Sequence, residues 1–450
     1  MAGAGVSVWV VSILLVQAGA ALWLGLPGQM SADSIIQLYE GRSHQTISFH
    51  PPLMSILLGA LDHLGNAPVG FVLISQGLLS WCTWLVLTSG GRQAFWRYLL
   101  SAVFVLNPIV LAYVGILWKD VLFAHVNILL FLLLARWHSA GLRIGWGKAT
   151  LLIVLLTLVV GMRQQGMLFA VVAAGWAVSL MKFSKFKACI AALILIVTPL
   201  MLNSTITALV QKPLPGDTPA YAIGFKILVF YDLVGIVANE GTLAKETRML
   251  LVNEVREQIP LYTPNRVDTL RASGAYWADP LSTTARLWWL SIVESPDAYL
   301  RHRLRVTEAI VGMSDMRVCI PYETGVGGPL NHPLVAEELT SLLGLRIGPN
   351  PSTALVMWAG WELSTTPLLM HWAYALALMG ICVVLARRRA YVLLSLAACS
   401  LILLASYAVL GIACDFRYAY TLTEATSLLA AWVMLAHPKR MPHKCFFQRH

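Results

Sequence analysis

Residues 151–185 read LLIVLLTLVVGMRQQGMLFAVVAAGWAVSLMKFSK, two apolar runs separated only by Arg163-Gln164-Gln165-Gly166 and followed by Lys182 and Lys185. With their flanking residues the runs give spans at 149–163 and 166–181, somewhat short of the roughly 20 residues of a helix that crosses a hydrocarbon core of about 30 Å. Apolar sequence that turns around within four residues reads as a helical hairpin in a membrane. The lysines at its far end mark the cytoplasmic side, because inner loops are enriched in Lys and Arg. The turn itself carries a cation on the opposite side, against that bias.

The whole sequence extends this pattern. Of 450 residues, 58% are hydrophobic and 12% charged, with a mean hydropathy of +0.70, too little charge to cover the surface of a soluble domain. The apolar runs define ten expected spans, at 8–26, 68–89, 98–116, 119–135, 149–163, 166–181, 187–207, 366–386, 390–411 and 418–436. No Lys or Arg precedes the first run, and it is long enough to span, so it reads as a retained helix rather than a signal peptide.

Orientation follows from the short loops. Arg92, Arg97, Arg136, Arg143, Lys148, Lys182, Lys185, Lys187, Arg387, Arg388, Arg389, Lys439, Arg440, Lys444 and Arg449 fall on one side with no Asp or Glu among them. The opposite short segments hold Arg42, Lys119, Arg163 and Arg417 together with Asp33, Glu40, Asp62, Asp120 and Asp415. Ten spans with both termini cytoplasmic reproduce this split, and a bacterial inner membrane is the expected location. The net charge of +10 is then mostly a topology signal, which leaves no role for a nucleic-acid partner.

The expected fold is an all-α polytopic membrane protein of about ten transmembrane helices, with interfacial helices and a mainly helical outer-face domain. It divides into a transmembrane core at 1–207 containing the first outer loop (27–67), a large outer loop domain at 208–365, and C-terminal helices with a basic cytoplasmic tail at 366–450. In the first loop, 53–64 (LMSILLGALDHL) is helical in pattern but too short to cross, so it reads as an interfacial helix. The large loop holds 13 basic and 16 acidic residues, and its segment 243–259 has an amphipathic helical pattern. Residues 220–238 are apolar but carry Lys226 and Asp232 mid-run; they read as surface-lying rather than spanning. The seven cysteines show neither CxxC nor zinc spacing, and spacing alone gives a Cys319–Cys414 disulfide little support.

The ionisable residues near the spans share one face. Asp33 follows the first span, Trp118-Lys119-Asp120 joins the third and fourth, Arg163-Gln164 the fifth and sixth, and Asp415-Phe416-Arg417-Tyr418 the last two. Each has an ordinary reading: a solvated acid for Asp33, headgroup anchors for Lys119 and Arg163, a local ion pair for Asp415 and Arg417. Glu424, about two turns inside the last span, can be a hydrogen-bonded structural acid. The joint pattern favours function, since two tight outer turns spend their few residues on cations. Three cations suit a lipid phosphate, and a carboxylate near an acceptor hydroxyl can serve as general base.

With these residues the chain resembles the GT-C glycosyltransferases, the membrane superfamily of protein O-mannosyltransferases and aminoarabinose transferases. Asp33 sits just after the first span in a loop with an interfacial helix, and His50-Pro51-Pro52-Leu53 looks like the Pro-Pro segment of that loop. WKDVLFA at 118–124, RQQG at 163–166 and DFRYAY at 415–420 are similar to motifs in bacterial members. The resemblance covers the membrane core, about two-thirds of the chain. It implies Asp33 as catalytic base and Lys119, Arg163 and Arg417 as binders of the donor phosphate, with His50, Asp120, Gln164, Asp415, Tyr418 and Glu424 in support. Many relatives have two adjacent acids in the first loop, whereas Ser34 follows Asp33, so no metal ligand is carried over.

The expected activity is transfer of a sugar from a polyprenyl-phosphate carrier to an envelope glycan, lipid or protein. No cofactor is implied, and a divalent metal is left undecided. The partners are the lipid-linked donor, its acceptor and membrane lipids. Two alternatives carry their own residues: an O-antigen polymerase or ligase, through Arg301, Arg303 and Arg305 in the large loop, and a transporter, through His125 and Glu424 within the spans.

Overall fold

Backbone without water around it must satisfy its N–H and C=O groups internally, and a helix does so within one segment. The computed structural model describes residues 7–436 other than 47–49, 91–92, 214–219, 267–268, 315–318, 320–322, 327–332, 347, 349 and 413, and these are mostly helical. The helices are α1 (Val8–Gly25), α2 (Ala32–Ser43), α3 (Leu53–His63), α4 (Ala67–Leu87), α5 (Phe95–Val105), α6 (Pro108–Tyr113), α7 (Lys119–Ser139), α8 (Trp146–Met162), α9 (Gly166–Met181) and α10 (Lys185–Val210). They continue as α11 (Ala220–Ala238), α12 (Lys245–Gln258), α13 (Gly274–Ala278), α14 (Leu281–Glu294), α15 (Pro296–Val311), α16 (Pro333–Leu342), α17 (Thr353–Leu363), α18 (His371–Arg387), α19 (Tyr391–Leu410) and α20 (Tyr420–Leu435). The described strands are a two-residue parallel ladder, Gln45–Thr46 beside Lys212–Pro213. Arg92 and the basic residues Lys439, Arg440, Lys444 and Arg449 of the expected cytoplasmic side lie outside the described residues.

Five of these helices, α1, α4, α7, α10 and α19, are long and apolar enough to cross a membrane; α3, α5, α8, α9 and α18 are apolar but shorter. At the centre stands α7, of whose most apolar window 83% is buried, against 22% for α1 and 17% for α10. It packs against α4, α8, α9, α19 and α20. On α10, Leu193, Ile194 and Met201 stay exposed, as apolar side chains do where the surroundings are not water.

The expected continuous span at 98–116 is broken into α5 and α6. Pro108 has no N–H and disfavours helical geometry at the residue before it. Asn107 accordingly leaves the helix and caps α6, its Oδ1 accepting from Ile109 N–H at 2.9 Å. Its amide donates to Tyr374 Oη at 3.1 Å and Ser427 Oγ at 3.0 Å, so the break costs no unpaired donor there.

The surface-lying reading of 220–238 is corrected. α11 is the central helix of its own packed unit, with Val229, Phe230, Leu233, Val234 and Ile236 buried against α12, α14 and α15. Its polar residues are buried with partners. Lys226 Nζ donates to the carbonyls of Trp277 and Asp279, both at 2.6 Å, and Asp232 meets His302 at 2.8 Å, Arg303 at 2.5 Å and Trp288 Nε1 at 2.8 Å. The run is apolar because it is the core of its own unit. The chain after α15 does not stay there. It returns to the first helices, where Met30 pairs with Val326, Arg42 donates to Leu343 O at 2.8 Å and Ser352 Oγ to Leu24 O at 2.8 Å. Cys319 and Cys414 are disulfide-bonded, contrary to the reading from spacing; the pairing joins positions 95 residues apart that sequence spacing cannot relate.

α2 is seated on α3 through a glycine contact. A Cβ on Gly41 would lie 2.7 Å from Gly59 N and 2.9 Å from Gly59 Cα. Gly41→Ala should therefore push the helices apart and lower stability by about 1–3 kcal/mol. Gly77→Ala, at a position with open space, should be near neutral. Unfolding curves of the purified protein in detergent check both, and equal curves for the two variants would remove the contact from the account.

Candidate functional site

Separate elements deliver the charged side chains to one place. Asp33 is in the first turn of α2, and Asp120 in the first turn of α7, where the helix N-terminus favours negative charge. Arg163 follows α8 in extended conformation (φ −148°, ψ 143°), which turns it out of the helix before α9 begins. Gly166 at that start lies against the Val159 carbonyl, leaving no room for a Cβ. Asp415 caps the 3-10 turn Phe416–Ala419 by accepting from Arg417 N–H at 3.0 Å.

The charges form one connected row. Arg163 Nη1 lies 2.5 Å from Asp120 Oδ1, and Asp120 Oδ2 lies 3.9 Å from Lys119 Nζ. Lys119 Nζ is 3.2 Å from His50 Nδ1, and His50 Nε2 is 3.3 Å from Asp33 Oδ1. Asp33 Oδ2 pairs with Arg417 Nη1, and Arg417 Nε lies 2.5 Å from Asp415 Oδ2. One neutral tautomer serves His50 on both sides: Nδ1 accepts from Lys119 and Nε2–H faces Asp33. Burial and the neighbouring Lys119 charge hold His50 below its usual value, which favours the neutral ring.

Aromatic rings wall the row. The Arg417 guanidinium is 5.2 Å from the Trp118 ring centre and 5.9 Å from that of Tyr418. Trp118 is fixed by Nε1–H donating to Ser31 Oγ at 2.8 Å. Arg163 donates to Tyr407 Oη at 2.5 Å, and the Tyr407 and Tyr418 rings stack at 5.3 Å.

Asp33, Lys119, Arg163 and Arg417 thus converge, together with His50, Asp120, Asp415 and Tyr418. Two expected members do not. Gln164 is exposed, outside the row of ion pairs. Glu424 is buried beside His125 Nδ1 at 2.8 Å, with Ser75 Oγ 3.1 Å from His125 Nε2, a hydrogen-bonded structural acid inside the helices. Of the loop arginines of the polymerase alternative, Arg303 pairs with Asp232 and donates to Gly411 O at 2.6 Å, and Arg301 donates to Asn239 O at 2.9 Å.

Electrostatics separates the acids. Burial pushes Asp33 up, but Arg417, with His50 and Lys119 behind it, outweighs burial and holds the carboxyl well below the usual carboxylate range. Burial raises Asp415 despite Arg417. Glu323, which sequence reading passed over as one acid among many in the large loop, also belongs here. Burial pushes it up to about 7 against the pull of Arg417, and Asp415 and Asp33 add to the rise. Tyr407 was missed as well, since an aromatic in an apolar run reads as core. Among the described residues, no three His, Cys, Asp or Glu side chains are grouped to hold a metal ion.

No protein-family model, curated protein or solved structure matches this chain.

Arg163 and Asp120 are both nearly fully buried, so removing one leaves an uncompensated charge. Asp120→Asn should destabilise by about 3–5 kcal/mol, and the double variant Asp120→Leu/Arg163→Met should recover much of the loss. Thermal unfolding in detergent reads this. A single variant as stable as wild type would show that the pair contributes nothing.

Proposed function

We propose that the protein is a membrane glycosyltransferase of the GT-C kind, moving a sugar from a polyprenyl-phosphate donor to an envelope glycan, lipid or protein. The observation that carries this reading is the convergence of Asp33, Lys119, Arg163 and Arg417 from four separate segments into one row of charges. The row lies at the N-termini of α2 and α7, whose backbone N–H groups favour an anion.

The phosphate need fits the cations unequally. Arg163 is committed to Asp120 and Tyr407, so its part is to hold Asp120 and the turn. Lys119 is the least committed, 3.9 Å from Asp120 and sharing one of its three donors with neutral His50. Arg417 has Nε and Nη1 engaged, leaving Nη2 without a described partner. Lys119 and Arg417 Nη2 therefore receive the phosphate, and they stabilise the added negative charge when the sugar–phosphate bond breaks. Asp33 fixes Arg417 and sets a negative charge near the positive charge that develops on the sugar carbon.

In the same reading the ten spans lie in a bacterial inner membrane with both termini cytoplasmic and the charged row outside. The Cys319–Cys414 disulfide supports this, because disulfides persist in oxidising compartments. With the native free cysteines replaced, Pro280→Cys should react with a membrane-impermeant maleimide added to intact cells, and Ser184→Cys should not. Protection at 280 would put the large loop inside and end the topology.

Lys119→Ala should lower transfer from a radiolabelled undecaprenyl-phosphate sugar by about 10²-fold or more. The assay uses proteoliposomes holding equal amounts of folded protein. Wild-type rates in the alanine variant would take Lys119 out of phosphate binding.

A further inference from the structure

Transfer from a lipid phosphate requires a group that accepts the proton of the acceptor hydroxyl. Most acids of the row are occupied. Asp120 is shared by Arg163 and Lys119; Asp33 has one oxygen paired with Arg417 and the other 3.3 Å from His50 Nε2; both oxygens of Asp415 face Arg417. Glu323 differs. It is half-buried, and its carboxyl makes no hydrogen bond or ion pair with a described residue.

Its position is fixed from both sides. Four residues earlier, Cys319 is bonded to Cys414, the neighbour of Asp415. Two residues later, Gly325 N–H donates to Gln29 Oε1, and Gly325 O accepts from Met30 N–H at 2.8 Å. Val326 N–H then donates to Gly348 O at 3.1 Å. Gln29 is held in turn, its N–H donating to Gly115 O at 2.7 Å. A chain reaches at most about 3.3–3.6 Å per residue, so these ties keep Glu323 between the Asp415 turn and the start of α2. The charged and titratable groups that face it are Arg417 and Asp415 from the last outer turn, Asp33 from α2 and Tyr113 from α6.

We infer that Glu323, on the strap between the Cys319–Cys414 disulfide and the Met30–Gly325 backbone contact, is the proton acceptor of the transfer, while Asp33 is a positioning residue for Arg417. The inference rests on the glycosyl-transfer reading above. In the step, the acceptor oxygen forms a bond to the anomeric carbon and gives its proton to the Glu323 carboxylate. The bond from that carbon to the phosphate oxygen breaks, and its electron pair stays on the phosphate. The products are the glycoside, the polyprenyl phosphate with one more negative charge, and protonated Glu323. A carboxyl raised to about 7 suits this task near neutral pH, whereas one held far below the usual range by a guanidinium is a weak proton acceptor.

The test is the pH dependence of kcat/KM in proteoliposomes, with radiolabelled undecaprenyl-phosphate mannose, glucose and galactose as donors and total membranes as acceptor. Wild type should gain activity as pH rises toward about 7 and level off above it, because the carboxylate is the active form. Glu323→Gln should lose about 10²–10⁴-fold and the acid-side limb with it. Asp33→Asn should be slower but keep a limb, displaced to lower pH because the Asp33 charge no longer raises Glu323. Glu323→Asp, which keeps a carboxyl on a shorter arm, should retain a limb at a shifted pH and serves if the Gln variant does not fold. A folded Glu323→Gln with the wild-type limb, or an unshifted limb in Glu323→Asp, overturns the inference alone. No transfer by wild type from any of these donors overturns the glycosyl-transfer reading and the inference together.

Discussion

The guanidinium of Arg417 holds the structure's polar face together. It touches Asp33 at the start of the chain and Asp415 in its own turn, and it lies on the Trp118 ring between them. Asp33 and Arg417 are 384 residues apart in sequence. Few ways exist to bring charges together beside apolar helices, because each brings a desolvation cost that only a partner offsets. Here Asp33, Asp120 and Asp415 match Lys119, Arg163 and Arg417 in number, so the row carries little net charge before any ligand arrives. The consequence is a row that tolerates burial and keeps donors left over after pairing rather than bare positive charge.

Inside the helices the same rule gives a different answer. His125 and Glu424 stand buried on α7 and α20, bonded to each other, with Ser75 on the other ring nitrogen of His125. Asn107, where α5 breaks, gives its amide hydrogens to Tyr374 and Ser427. These groups are enclosed by packed apolar side chains and shape helix contacts, whereas the charged row sits where helices start and loops meet. Separation of the two sets follows from cost: a paired polar group can be structural anywhere, but one that must receive a ligand needs a route to it.

Much of the charged row was legible in the sequence because its residues sit in very short turns. A cation in a four-residue turn such as Arg163-Gln164-Gln165-Gly166 has nowhere to go but the end of the helix pair, and turns on one face converge when the helices pack. Gln164 shares that turn but is exposed, and Glu424, read as lying about two turns inside the last span, is buried beside His125. Glu323 left no local signal. Its place depends on a disulfide and on backbone contacts to Gln29 and Met30, neither of which periodicity encodes. Residues 220–238 misled for a related reason: apolar sequence records burial, not what does the burying, and α11 is covered by its own neighbours. At 98–116 the apolar run outweighed Pro108, although the proline and the asparagine before it are sufficient cause for the break.

The distance along the chain between Asp33 and Arg417 also sets an order of events during synthesis. At about 5–20 residues per second, the 384 residues between them take on the order of 20–80 s to make. For most of that interval, once α7 is made, Asp33 and Asp120 are present without the guanidinium that closes the row. A chain cut short before the 415–418 turn has most of its helices and still lacks Asp415 and Arg417.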